Sequence, residues 1–214
     1  WESILTVINV VFSCNVEKDD TFYISADIAR FGADKTVISV RKGYEVIKFY
    51  TLIEQPTDIV ADKILELEQE FNVRRNHIVI DSDGVGGGVA DRIRWCINFV
   101  NNATPHKSNA DKNNTYVQHN YWNLKAQCYF KLKEMLERRL IRVHADGQVK
   151  DDLSNELDNM IIKNTERDGK TYMESKEEMK KRLNRSPDYA DNCFIAGTKV
   201  LTNKWYKNIE DIDI

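Results

Sequence analysis

Four aspartates stand in settings where carboxylates do chemistry. Asp27 closes the apolar run Tyr23-Ile24-Ser25-Ala26-Asp27, and Asp81 closes His77-Ile78-Val79-Ile80-Asp81. Asp188 and Asp191 lie three apart in Ser186-Pro187-Asp188-Tyr189-Ala190-Asp191. Clustered carboxylates repel one another unless a cation holds them together, so acids at strand ends plus a pair one helical turn apart point to a divalent-metal site. Asp83 is an alternative to Asp81 as a ligand, and the strand end favours Asp81. Asp34, Asp58 and Asp91 read as turn, cap and solvated-helix residues. Capping acids are the structural alternative for the Asp188/Asp191 pair.

The elements that must position these acids follow from periodicity. Phe22–Ile28 alternates as a strand, Thr36–Arg41 is a second, and Lys42-Gly43 turns the chain into a third over Tyr44–Ile53. Pro56-Thr57-Asp58 opens a helix expected to bury Ile59, Val60, Ile64, Leu67 and Phe71. The strand ending at Asp81 follows, then Gly84-Val85-Gly86-Gly87-Gly88, expected to open a helix at about Gly88. That glycine run lacks the spacing of a dinucleotide site, so it reads as a tight strand-to-helix turn. A fifth strand is expected over Trp95–Val100, a loop over 101–115, a long helix over Tyr121–Arg139 and a short strand at Ile141–Val143. An acidic helix over Val149–Met160 precedes a hairpin around Arg167-Asp168-Gly169. A basic helix, Ser175–Arg185, starts with a capping box of Ser175 and Glu178. Pro187 suits the first turn of a last helix with Ser186 as its cap. This order predicts an α/β fold: a mixed central sheet with helices on both faces, in which the Asp27 and Asp81 strands are neighbours.

The bulk properties exclude little. The 214 residues carry a net charge of −3 and 42% hydrophobic content, as a globular domain does. A nucleic-acid partner must therefore meet a local patch, and Lys176, Lys180, Lys181, Arg182 and Arg185 form the strongest basic run. The four cysteines (Cys14, Cys96, Cys128, Cys193) show no metal-ligand spacing. The apolar run Ile4–Phe12 is too short to span a membrane and reads as a strand or linker. The chain opens on Trp1, which reads as a piece of a longer product.

Taken together, Asp27-Ile-Ala-Arg-Phe-Gly-Ala-Asp34-Lys35-Thr36-Val37, Ile-Val-Ile-Asp81 with its glycines, Ser175-Lys-Glu-Glu-Met-Lys180 and Arg185-Ser-Pro-Asp188-Tyr-Ala-Asp191 resemble the nuclease domain of the large terminase subunit of tailed bacteriophages. The resemblance runs from about Phe22 to Asp191. It implies the RNase H-like (RuvC-type) fold and an endonuclease that cuts concatemeric double-stranded DNA in the host cytoplasm. It also implies an upstream ATPase domain joined through residues 1–20, a small terminase subunit and a portal as partners. The phosphate-loop motif of such a motor does not occur in these residues.

On the two-metal mechanism, a pair of Mg²⁺ or Mn²⁺ ions activates the water and stabilises the leaving oxygen. Asp27 would bridge both ions, Asp81 would ligate one and the Asp188/Asp191 pair the other, with the choice between the last two open. Lys176, Lys180, Lys181 and Arg185 are the expected phosphate contacts; a solvated helix face is the alternative. Readings from other classes are a RuvC-like resolvase, an actin-like nucleotide-binding module and an inactive DNA-binding domain.

After Asn192 the pattern changes. Cys193-Phe194-Ile195-Ala196-Gly197-Thr198-Lys199-Val200, followed by Lys207-Asn208-Ile209-Glu210-Asp211-Ile212, resembles the first block of an intein. That places a nuclease domain over 21–192 and an intein start over 193–214. Cys193 would be the splicing nucleophile, attacking the Asn192 carbonyl to form a thioester. A buried core cysteine is the structural alternative. The expected consequence is that the Asp188 helix is cut short.

Overall fold

The computed structural model describes residues 11–29, 34–106, 121–164, 170–195, 199–201 and 206–208. Most of the Ile4–Phe12 run and the Arg167-Asp168-Gly169 turn lie outside them.

Six strands form one mixed sheet: β1 Phe22–Asp27, β2 Lys35–Lys42, β3 Glu45–Ile53, β4 Ile78–Asp81, β5 Ile97–Phe99 and β6 Arg142–Val143. Their order across the sheet is β5-β4-β1-β2-β3-β6. The first three run antiparallel as a meander, and β4 lies parallel to β1 on its other side. This is the RNase H-like arrangement expected from the sequence. Among the described residues six helices accompany it: α1 Thr57–Glu70, α2 Gly86–Arg92, α3 Leu124–Glu137, α4 Gly147–Asp158, α5 Lys176–Leu183 and α6 Asp188–Ile195. The expected hairpin is β7 Ile162–Asn164 with β8 Thr171–Met173, and β9 Lys199–Leu201 pairs antiparallel with β10 Tyr206–Asn208.

Alternation along the strands splits the apolar residues into two cores. Ile24, Ala26, Ile38, Val40, Ile78 and Ile80 face α1 and α2. Tyr23, Val37 and Val79 face α3, α4 and α6 on the other side. Because successive side chains point to opposite faces, Asp27 shares the second face with Tyr23 and Ser25, and Asp81 shares it with Val79. The parallel register pairs Ala26 with Ile80. The next residue on each strand is an aspartate, so the two carboxylates emerge side by side on one face.

Several boundaries differ from expectation for identifiable reasons. Helix α1 buries Val60, Ala61, Ile64 and Leu67; Ile59 falls off that stripe and is exposed, and Phe71 sits at the helix end against Phe22. Helix α2 starts at Gly86, two residues early, because the chain turns beneath Asp81. A Cβ at Gly86 would lie 1.7 Å from the Asp81 carbonyl oxygen, so only glycine allows this approach. Trp95 is not in β5; it takes φ 72° and is 84% exposed. Helix α6 runs through the Asn192–Cys193 junction to Ile195 and packs on β1, β2, α3 and α4.

Candidate metal centre

The acids converge because two strands and one helix end at the same place. Asp27 and Asp81 sit at the C-terminal ends of parallel neighbours, and α6 crosses the same face of the sheet. All four carboxylates are nearly buried.

What holds α6 there is polar. Asn192, fully buried, donates its side-chain NH₂ to the Ser25 carbonyl at 3.1 Å and to the Val37 carbonyl at 2.8 Å. The Ser25 hydroxyl lies 3.0 Å from both the Asn192 carbonyl and its side-chain oxygen. These bonds tie the helix to β1 and β2. The start of α6 is held from α4. The buried Glu156 carboxylate accepts the Ala190 N–H at 2.7 Å and also pairs with Arg185. Glu156, not the Ser186 hydroxyl, thus takes a first-turn N–H of the kind a cap satisfies. Burial pushes the Glu156 carboxyl up to about 8, against the opposing pull of Ala190 and Arg185.

The centre of the cluster is occupied by a lysine from the same protein. The Lys176 ammonium, at the start of α5, lies 3.1 Å from Asp27, 3.1 Å from Asp191 and 4.0 Å from Asp188. Asp81 stands beside this group. Asn101 donates to one of its oxygens at 3.0 Å and the Asp83 N–H to the other at 3.0 Å. Asp83 itself is turned toward Asn101. Burial pushes Asp27 up to about 7, its acidic neighbours adding to the rise and Lys176 opposing it. Burial likewise raises Asp81 and Asp188. Asp191 goes the other way: burial alone would raise it, but Lys125, Lys176 and the Tyr129 hydroxyl hold it down at about 2. The three acids lacking full compensation are those that gain most from a bound cation.

Among the described residues, no three His, Cys, Asp or Glu side chains form a ready-made cage for a metal. Instead the Lys176 ammonium stands as a cation with three carboxylates around it. The donor set is all hard oxygen, which fits Mg²⁺ or Mn²⁺, once the lysine has moved out.

The basic run divides. Lys176 points into the acids. Lys180 pairs with the exposed Asp34, 2.6 Å to Oδ1 and 2.7 Å to Oδ2. Arg182 pairs with Glu174. Arg185 turns inward to Glu156 and Asp152, bracing α4 against α6. Lys181 is exposed. A charge run gives no sign of which way each side chain turns, so these inward roles had no sequence signal. Cys193 is buried in α6, and burial pushes its thiol up to about 12. Sequence reasoning also missed Lys125, Tyr129, Asn101 and Glu156, because each reaches the site only through tertiary contact.

No family model matches the chain, and no curated protein matches it. Solved structures do. The nuclease domain of the large terminase subunit gp2 of bacterial virus Sf6 is similar with a TM-score of 0.74 at 19% identity, over 88% of this chain and 95% of that one. A mutant of the same domain, with manganese and beta-thujaplicinol, gives 0.74 at 20% identity over the same shares. The Thermus phage P74-26 large terminase nuclease domain gives 0.60 at 15% identity, over 96% of this chain and all of that one. At these identities the likeness establishes the fold.

Proposed function

We propose that this chain carries the nuclease domain of a bacteriophage large terminase and is a divalent-metal-dependent endonuclease acting on concatemeric double-stranded DNA. One observation carries the reading: Asp27, Asp188 and Asp191 surround a single cation position beside Asp81, on one face of an RNase H-like sheet. The fold neighbours support it. They are phage terminase nucleases, and among them are structures with manganese, cobalt and magnesium.

Asp27, Asp81, Asp188 and Asp191 are the residues that would hold the metal, proposed as two ions. Bound there, divalent cations supply an acidified water and neutralise the leaving oxygen of a phosphodiester. The protein's own part is to keep these acids together. Buried carboxylates at this spacing repel, and Lys176 offsets that repulsion until a metal takes its place. Asn101 holds Asp81 in orientation. Asp27, lifted to about 7, is only partly ionised at neutral pH, so metal loading would release the proton it still holds. Lys180 and Lys181, on the exposed side of α5, are the proposed phosphate contacts, with Lys176 and Arg185 acting within the fold. An upstream ATPase domain, a small subunit, a portal and the host cytoplasm complete the proposal.

The test is plasmid nicking by the metal-stripped protein given Mn²⁺ or Mg²⁺, beside Asp27→Ala. Metal-dependent nicking lost in the variant is expected. Equal nicking by both proteins would refute the site. ATP binding without cleavage would instead favour the actin-like reading, and selective cleavage of four-way junctions the resolvase.

The proposal includes an intein start at Cys193, resting on the sequence pattern of 193–214. The fold sets a condition on it: the last turn of α6 must leave the sheet before a buried thiol can act as thiolate on the Asn192 carbonyl. Strong thiol added to the longer gene product should release a fragment ending at Asn192. Release unaffected by Cys193→Ala would remove the assignment.

A further inference from the structure

Asp191 is bound differently from the other three acids. Its Oδ1 accepts a hydrogen bond from the Tyr129 hydroxyl and lies 3.2 Å from the Lys125 ammonium. Its Oδ2 lies 3.1 Å from Lys176. Lys125 and Tyr129 are four residues apart on α3 and therefore share one helix face. They also brace each other, since the Lys125 ammonium lies 5.5 Å from the Tyr129 ring centroid. Both side chains are largely withdrawn from water. Asp27 and Asp188 have no comparable anchor from α3. Asp188 accepts a long 3.4 Å bond from the Lys35 N–H on its Oδ2 and a hydrogen bond from its neighbour Ser186.

The same turn of α3 reaches the second acid. The Lys125 N–H donates to the Asn101 carbonyl at 3.1 Å, and the Asn101 side chain donates to Asp81. The first turn of α3 is thus bonded directly to Asp191 and, through Asn101, to Asp81. The helix is seated by its own cap, the Asn123 side chain accepting from the Ala126 N–H.

We infer that Lys125 and Tyr129 are positioning residues of the metal centre: they fix Asp191 by its Oδ1, so that it offers the shared cation position a single oxygen, Oδ2. The inference rests on the nuclease reading above. A carboxylate pinned on one oxygen cannot swing to grip a cation with both, so Asp191 sets where the cation sits and Asp188 is left to adjust to it. Groups that orient a metal ligand without touching the metal change affinity by roughly 10- to 100-fold when removed.

Calorimetric titration of the metal-stripped protein with Mn²⁺ tests this without relying on cleavage. Tyr129→Phe and Lys125→Met should each weaken Mn²⁺ binding by about 10-fold. The kcat for plasmid nicking should fall in step while KM for DNA holds. Lys125→Arg should recover binding to within about 3-fold, and Lys133→Met, two turns farther along α3 and ion-paired with Glu137, should match the wild type. Melting of each variant separates lost positioning from lost folding, and the two substitutions are independent should either fail to fold. Wild-type Mn²⁺ affinity in both folded variants overturns the inference, as does a loss that Lys125→Arg leaves unrepaired. If the wild type binds and cuts while the variants equal it, only the positioning role fails. If the wild type takes up no Mn²⁺, the nuclease reading fails with it.

Discussion

Replacing Asp27 by asparagine should make the metal-free protein more stable while abolishing its activity. The carboxyl is buried at the end of β1 and lifted from its ordinary 3.8 to about 7. A folded-state value above the unfolded one means the native protein keeps a proton that the unfolded chain has already released. Stability from this group is therefore complete below about pH 4 and is lost as pH rises through about 7. At about 1.4 kcal/mol per pH unit, the ionised carboxylate costs the folded state about 4 kcal/mol at alkaline pH. Part of that cost comes from Asp81, Asp188 and Asp191, and part is offset by Lys176. Asp27→Asn should therefore recover about 2 to 4 kcal/mol at about pH 8 and little at about pH 4. Urea unfolding of the wild type and the variant in EDTA, stepped across that range, measures the difference directly. Glu156, Asp81 and Asp188 are raised as well, so the difference between the two proteins reads Asp27 together with its repulsion by the neighbouring acids. Saturating Mn²⁺ should abolish the advantage of the variant, because metal binds the ionised form. A wild type whose metal-free stability is flat or rising from about pH 4 to pH 8, with no gain in Asp27→Asn, would refute the burial argument.

Two further substitutions probe the architecture around the acids. Lys176→Ala removes the competing cation, so Mn²⁺ should bind about 10-fold tighter while the metal-free protein loses about 2 kcal/mol, a loss discounted because the side chain is 36% exposed. Calorimetry and thermal melting read the two effects separately, and weaker Mn²⁺ binding would show that Lys176 is not a competitor. Gly86→Ala drives a methyl into the Asp81 carbonyl and should cost about 1 to 3 kcal/mol together with most of the nicking activity. Gly88→Ala, with nothing within 4 Å of its added Cβ, should be neutral or gain up to about 1 kcal/mol; equal effects at the two glycines would remove the close-approach argument.

The strands and the strand acids were legible because alternation and a terminal carboxylate are local signals. Asp27 and Asp81 follow from reading Tyr23 to Asp81 with a period of two, and the parallel register then brings them together. The Ser175 capping box was legible for the same reason and appears as expected. The first Gly-Gly pair was harder. Gly86 begins a helix because of a carbonyl five residues back, whereas the run alone gives no preferred glycine. The direction of the basic side chains was not legible at all. Arg185 and Lys181 read alike in sequence, yet Arg185 is drawn inward by Glu156, a residue 29 positions away. Tyr129 meets Asp191 across 62 positions, and its hydroxyl carries no local mark. The change of sequence pattern after Asn192 gave no sign of the packing there: Asn192 is bonded to both β1 and β2.

The Asn192 clamp has a consequence for the order in which the protein becomes able to act. Its partners on β1 and β2 lie 167 and 155 residues earlier in the chain. During synthesis strands β1 to β5 and the Asp27–Asp81 pair emerge before α3, β6 and α6. Contacts of such long sequence separation are the slowest to form. The bracing helix α3 precedes β6, whereas Lys176 and then α6 with the last two acids follow the whole sheet in the chain. The four acids therefore come together only once α6 has seated on the sheet.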